Sequence, residues 1–175
     1  MRIIKFKARR EDNGQWITGD LLQHIDGSVL IGDNIGPWDD DGYSLCDYHK
    51  VYHVDPATVG QFTGFYDKND KEVYEGDVLR SDLYPYSNLR NGRRDNYFGI
   101  VFYSEEEASF HIMVAKNSES IVIGACSGES YHITQKKLND FEVVGNIHEE
   151  EWKQYGEYFQ DKEEKEAEDD KTRRP

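Results

Sequence analysis

Gln61-Phe-Thr-Gly-Phe-Tyr-Asp-Lys-Asn-Asp-Lys-Glu-Val-Tyr-Glu-Gly-Asp-Val-Leu79 is the stretch on which the fold turns. It reads as a turn, a short strand, a second turn and the start of another strand. Asp67-Lys-Asn-Asp70 has the residue types that hydrogen-bond their own backbone and tolerate tight bends. Val73 and Tyr74 are β-formers. Glu75-Gly76-Asp77 bends the chain again before Val78-Leu79 restarts an apolar run. Short strands alternating with turns of this kind read as a mainly β protein.

The sequence on either side extends that pattern. Met1 to Arg10 alternates, with Ile4, Phe6 and Ala8 on one face and Lys5, Lys7 and Arg9 on the other, which is the period of a half-buried strand. Asn13-Gly14 is a hairpin signal, and Trp16-Ile17-Thr18 is the returning strand. Leu21 to Ile25 and Ser28 to Ile31, split by Asp26-Gly27, form a second hairpin. Residues 1–60 thus read as a β-meander. Tyr48 to Val54 is a further strand candidate, and Ala57 to Phe62 suits a single short helical turn or a strand, the strand being favoured. Phe98 to Tyr103 is a strongly apolar strand, and Ser109 to Ala115 pairs back on it. Ile121 to Ala125, Tyr131 to Thr134 and Phe141 to Ile147 follow, with a turn or single helical turn over Lys136 to Asp140. Strands with turns every 8–12 residues point to a barrel or sandwich. By analogy the order over 61–148 is that of a small SH3-like barrel, and analogy of fold carries no function with it. Trp152, Tyr155 and Phe159 make one apolar stripe, so 149–160 reads as an amphipathic helix. That helix could dock on the chain's own strands or on another subunit. Residues 161–175 form a charged, disordered tail.

The motifs also carry a resemblance. Gln61, Thr63 and Gly64, then Asp67-Lys-Asn69, then Val73-Tyr74-Glu75-Gly76-Asp77-Val78 resemble the signature of the YopX family of bacteriophages, prophages and mobile elements. Ile4-Lys-Phe-Lys-Ala8 resembles the family's opening strand, and Val143-Val-Gly145-Asn146-Ile147 its closing strand. Asp70 stands where the family usually has Gly, and His148-Glu-Glu-Glu151 replaces an aromatic and Pro-Glu-Leu-like ending. The resemblance implies a β-rich phage protein of unknown function, with no accepted catalytic residues to carry over.

Composition narrows the classes. The 175 residues suit one domain, 1–148, or two small units, 1–60 and 61–148. Net charge is −14, of which residues 149–175 carry −5. An acidic body disfavours nonspecific phosphate binding, which needs clustered Lys and Arg. Two cysteines exclude a disulfide framework. With no apolar run of membrane-spanning length, and no secretory pattern at the N-terminus, the expected compartment is the cytoplasm of a bacterial host.

The sequence offers four candidate sites. Asp39, Asp40 and Asp41 before Gly42 fail the calcium-loop spacing, because Pro37 and Tyr48 fall on ligand positions. Cys46, His49 and His53 lie close in sequence, but without paired Cys-x-x-Cys spacing they read as ordinary residues rather than a zinc site. Cys126 and His132 complete a set only if the fold brings them near. Glu75 and Asp77 are the most tempting catalytic carboxylates, against the plainer reading that Asp77 hydrogen-bonds turn amides while Glu75 faces solvent. Finally, 80–97 reads as the longest irregular segment. It offers Arg80, Arg90, Arg93 and Arg94 among Tyr84, Tyr86 and Tyr97, the residue types that contact phosphates and stack on bases.

No nucleophile elbow, phosphate loop or His-Glu-x-x-His occurs. The expectation is a non-enzymatic accessory β module with no metal or cofactor, which binds a protein partner or itself. Alternatives are a nucleic-acid binder through the Arg/Tyr segment, an acidic DNA mimic, and a hydrolase using Glu75 and Asp77.

Overall fold

A computed structural model describes residues 3–32, 51–83, 94–115 and 130–152. Eleven strands appear among the described residues: β1 Phe6–Arg9, β2 Trp16–Gln23, β3 Val29–Gly32, β4 Val51–His53, β5 Gly60–Tyr66, β6 Glu72–Tyr74, β7 Asp77–Leu83, β8 Arg94–Ser104, β9 Ser109–Ala115, β10 Ser130–His132 and β11 Glu142–Asn146. The protein is mainly β, as its spacing of turns predicts. One sheet has the order β4-β3-β2-β1-β5-β6 and the other β10-β9-β8-β7-β11. The chain divides into two compact units, Met1–Gly64 and Phe65–Pro175, and β5 crosses the division.

In the first unit β1, β2, β3 and β4 are successive antiparallel neighbours. Gly14 takes φ 69°, which a side chain resists, and its amide donates to the Arg10 carbonyl at 2.9 Å. That turn sets Arg9 opposite Trp16 and Lys7 opposite Thr18. The two strand segments read at Trp16 and Leu21 are one continuous β2, which pairs onward with β3. Ala8, Ile31 and Val54 are fully buried, with Phe6, Ile17, Leu21, Val29 and Val59 against them. The segment 57–62 is not a single strand. Pro56–Thr58 is one 3-10 turn capped by Asp55, whose carboxylate accepts from Ala57 N, and β5 begins only at Gly60.

In the second unit every pairing recorded along β10-β9-β8-β7-β11 is antiparallel. The apolar runs Val78-Leu79 and Ile100-Val101 are buried at successive positions, so the sheet is covered on both faces there, at β7 and β8. Leu79, Val101, Ile112, Leu138 and Phe141 build the main core, while Val78, Ile100 and Trp152 build a smaller one. Each such side chain contributes about 1.5–3 kcal/mol when taken fully from water. Thr134 caps a one-turn helix, Gln135–Leu138, that drives Leu138 into the main core.

Of the expected fold details, the barrel is not confirmed among the described residues and the irregular segment 80–97 is corrected. The described strands close no barrel: the five-stranded order ends at β10 and β11, which are not paired with each other. The segment 80–97 is not wholly irregular, since β7 runs to Leu83 and β8 starts at Arg94. Cross-strand pairing that reaches Leu83↔Arg94 overrides the run of polar residues there. Ile121 to Ala125, the loop 33–47 and the tail 161–175 lie outside the described residues. So do residues 153–160 of the expected C-terminal helix. The part that is described, Glu149 to Trp152, is a turn in which Trp152 N donates to Glu149 O at 2.8 Å. Trp152 is 8% exposed, so this aromatic docks on the chain's own strands.

Candidate functional site

The signature residues converge on two buried carboxylates. Asp67 closes the β5–β6 turn: its Oδ1 accepts from Asn69 N at 2.7 Å and Lys71 N at 2.9 Å. Its Oδ2 reaches across to β11 and accepts from Val143 N at 2.8 Å. Asp77 is fully buried; its Oδ2 accepts from Tyr74 N at 2.9 Å, and its Oδ1 from Asn146 Nδ2 at 3.1 Å. Asn146 Oδ1 in turn accepts from His148 N at 3.1 Å. Gly76, at φ 80°, donates to Val101 O at 2.8 Å and accepts from Ile147 N at 2.9 Å. The bends at 75–77 and 145–147 are therefore one clasp. Gly145 belongs to it for a steric reason, because a Cβ there would stand 2.3 Å from Trp152 Nε1. Gln61 and Thr63 lie on β5, where Gln61 pairs with Phe6 and Thr63 is buried, and Gly64 takes φ 89°. Tyr74 donates its hydroxyl to Glu72 at 2.6 Å.

The two carboxylates of the Glu75 and Asp77 pair stand in unlike surroundings. Asp77 has both oxygens engaged by donors and no exposure to solvent, whereas Glu75 is half-buried in the turn.

The arginine–tyrosine segment is only partly described. Tyr84, Tyr86, Arg90 and Arg93 lie outside the described residues, and Arg94 is placed only as backbone on β8. Arg80 is paired with Glu142, which also holds Lys68 Nζ at 2.9 Å. Lys68 and then Arg80 hold the Glu142 carboxyl below the usual range. Tyr97 is 5% exposed and belongs to the main core, so its ring face is packed against protein rather than offered to a base. Of the metal candidates, Cys46, His49 and Cys126 lie outside the described residues, and His53 is an exposed residue of β4.

The chemically richest cluster is one that the sequence reading missed, apart from His132. The β8–β9 hairpin turns through Glu105–Ala108, and Ala108 takes φ 49°. Glu107 is thereby folded back over its own strand. His111 on β9 faces His132 on β10 in register, with ring centroids 4.4 Å apart. Glu107 Oε2 lies 2.8 Å from His132 Nε2 and 3.4 Å from His111 Nε2. Ser109 Oγ sits between the rings, 2.9 Å from His111 Nε2 and 3.1 Å from His132 Nδ1. One assignment of protons satisfies this chain: His111 Nε2–H donates to Ser109, the Ser109 hydroxyl to His132 Nδ1, and His132 Nε2–H to Glu107.

His111 is 2% exposed, and its Nδ1 has no hydrogen-bond partner among the described residues. Burial first, then repulsion from His132, pushes its imidazole below the ordinary histidine value; Glu107 opposes that shift and Lys137 adds to it. The neutral ring is thus favoured. Lys137 donates from Nζ to His132 O at 2.9 Å. The sequence signal for this cluster is faint, because Glu107 and His111 acquire a partner 21 residues beyond His111 only through strand pairing.

The model of the family described as YopX protein matches residues 5–151. A solved structure titled "Crystal structure of protein EF1440 from Enterococcus faecalis" is similar at 16% identity and a TM-score of 0.44. It covers 85% of this chain and 95% of that one, and so weak a likeness carries no argument. No curated protein matches the chain. The family model spans the opening strand, the clasped signature and the closing strand, and the chain belongs to the YopX family.

Proposed function

We propose that this YopX-family chain is a non-enzymatic phage- or prophage-derived accessory protein, a β module that binds a protein partner or another copy of itself. The observation that supports this reading is the engagement of Asp67 and Asp77. Both signature carboxylates are buried and accept hydrogen bonds from amides. In this reading the motif serves architecture, and the displayed surface is what meets a partner. Among the described residues the strand orders end at β4 and β6 and at β10 and β11, and a sheet end is where a further strand can add.

The same proposal puts the protein in the bacterial cytoplasm, in keeping with an acidic chain that has two cysteines. No helix among the described residues is long and apolar enough to cross a membrane.

The test is affinity capture with the tagged full chain from lysogenic or infected cells, joined to mass measurement across a concentration series. Stoichiometric capture of one protein, or a concentration-dependent dimer or larger species, is the expected result. A 20.4 kDa species at every concentration with no captured protein overturns the proposal. Capture of nucleic acid, weakening steeply with salt, overturns it in favour of the arginine–tyrosine segment.

A further inference from the structure

We propose that Glu107, His111 and His132 form a binding site for a divalent transition-metal ion of the zinc class. Each offers one ligand atom, and the three atoms lie within 4.8 Å of one another. Zinc bonds of about 2.0–2.2 Å in tetrahedral geometry set ligand atoms roughly 3.3 Å apart. The Glu107–His111 separation of 3.4 Å already has that spacing, and the Glu107–His132 separation of 2.8 Å needs to open by about half an ångström. Two imidazoles and one carboxylate are a donor set that zinc uses, with a fourth position left for water. Calcium and magnesium prefer oxygen ligands alone.

The placement follows from the fold. Directly opposed cross-strand residues bring their Cβ atoms within about 5.5 Å, which is why His111 and His132 meet. The turn at Ala108 returns Glu107 to the same side. The two rings are unlike in their surroundings: His111 is buried and sets the floor of the site, while the His132 and Glu107 side chains are 59% and 49% exposed and admit an ion from solvent. Ser109 supplies outer support. With His132 bound through Nε2, its Nδ1–H donates to Ser109 Oγ over the existing 3.1 Å, which fixes ring and tautomer. Metal on His111 Nε2 moves that ring's proton to Nδ1, where no acceptor stands among the described residues. Outer-shell partners are worth about 10–100-fold in affinity, so the site binds more weakly than one with both rings supported.

The experiment titrates the metal-stripped full chain with Zn²⁺ calorimetrically and with Co²⁺ by its visible ligand-field absorption. The expected result is one ion per chain and a tetrahedral Co²⁺ spectrum. Ser109→Ala weakens binding about tenfold, and Glu107→Gln and His132→Asn, which remove a direct ligand, each weaken it by more. Glu107 and His132 are exposed, so these variants keep the fold, which circular dichroism verifies. A Cys46→Ser, Cys126→Ser double variant binds as the parent does. Absence of stoichiometric binding overturns the proposal. So does binding that survives both ligand substitutions, or binding abolished by loss of the cysteines.

Discussion

Asp77 and Asn146 are joined by a buried 3.1 Å hydrogen bond between residues 69 apart in sequence. The bond ties the first strand of the second sheet to its last. Asp77 also holds Tyr74 N, so one carboxylate fixes a turn and a strand pairing together. Hydrogen bonds to charged groups contribute about 1.5–3 kcal/mol, and a buried donor left without an acceptor costs about 1–3 kcal/mol. Asp77→Ala is expected to lower unfolding free energy by roughly 2–4 kcal/mol, and Asp77→Asn, which keeps one acceptor, by less. Urea denaturation with an unchanged m-value checks both. Equal stability of parent and Asp77→Ala contradicts the clasp.

Gly145 and Trp152 form the second half of that clasp. A methyl group on Gly145 would meet the indole at 2.3 Å from Nε1 and 2.6 Å from Cδ1. Gly145→Ala therefore displaces Trp152 from Val78 and Ile100. Overpacking of this kind costs about 1–3 kcal/mol. The chain has three tryptophans, so the readout is emission in a Trp16→Phe, Trp38→Phe background. A red shift and a lower urea midpoint are expected; an unshifted spectrum refutes the displacement.

Among the described residues, two other than glycine adopt left-handed backbone, Asp70 at φ 61° and Ala108 at φ 49°. Asp70 stands where the family usually has glycine. Aspartate tolerates this conformation, whereas alanine gains nothing from it; the left-handed region costs about 1–2 kcal/mol for a residue with a Cβ. Ala108→Gly relieves that strain but adds freedom to the unfolded chain. A net gain of about 0.5–1 kcal/mol is expected, read as a raised thermal midpoint. A fall in the midpoint shows that the turn has another conformation.

Glu142 brings a pH dependence with a definite sign. Lys68 and Arg80 hold its folded pKa below the ordinary carboxyl value of 4.5. In acid the unfolded chain then binds the proton more readily, so the contribution is present above about pH 4.5 and is lost as pH falls through the folded value. These ion pairs are partly exposed, and the effect is at most about 1 kcal/mol. Glu142→Gln is expected to lower stability at pH 7 and to leave it nearly unchanged in acid below the folded pKa. Urea midpoints at a series of pH values test this; an equal loss at every pH shows a packing effect instead.

Much of the architecture is legible in the residues because its causes are local. Alternation at Phe6 and Ala8, the Asn13-Gly14 turn, the Asp67-to-Asp70 bend and the apolar run at Phe98 each specify a strand or reversal through near neighbours, and strands or turns stand there, whereas Ile4 lies before β1 and is exposed. The limits of strands are less legible. β7 and β8 extend into a polar stretch because each supplies the other's backbone partners, which no local propensity records.

What the sequence by itself determined is a β-rich chain bearing the YopX signature, since turn chemistry and two-residue alternation act over a few neighbouring residues. Only the tertiary structure decided what the polar residues do. It buried Asp77 against Asn146, placed Tyr97 in the core, left the strands as two open sheets among the described residues, and brought Glu107, His111 and His132 together. Those outcomes depend on which strands lie side by side, and strand pairing is settled by burial and hydrogen bonding across tens of residues rather than along the chain.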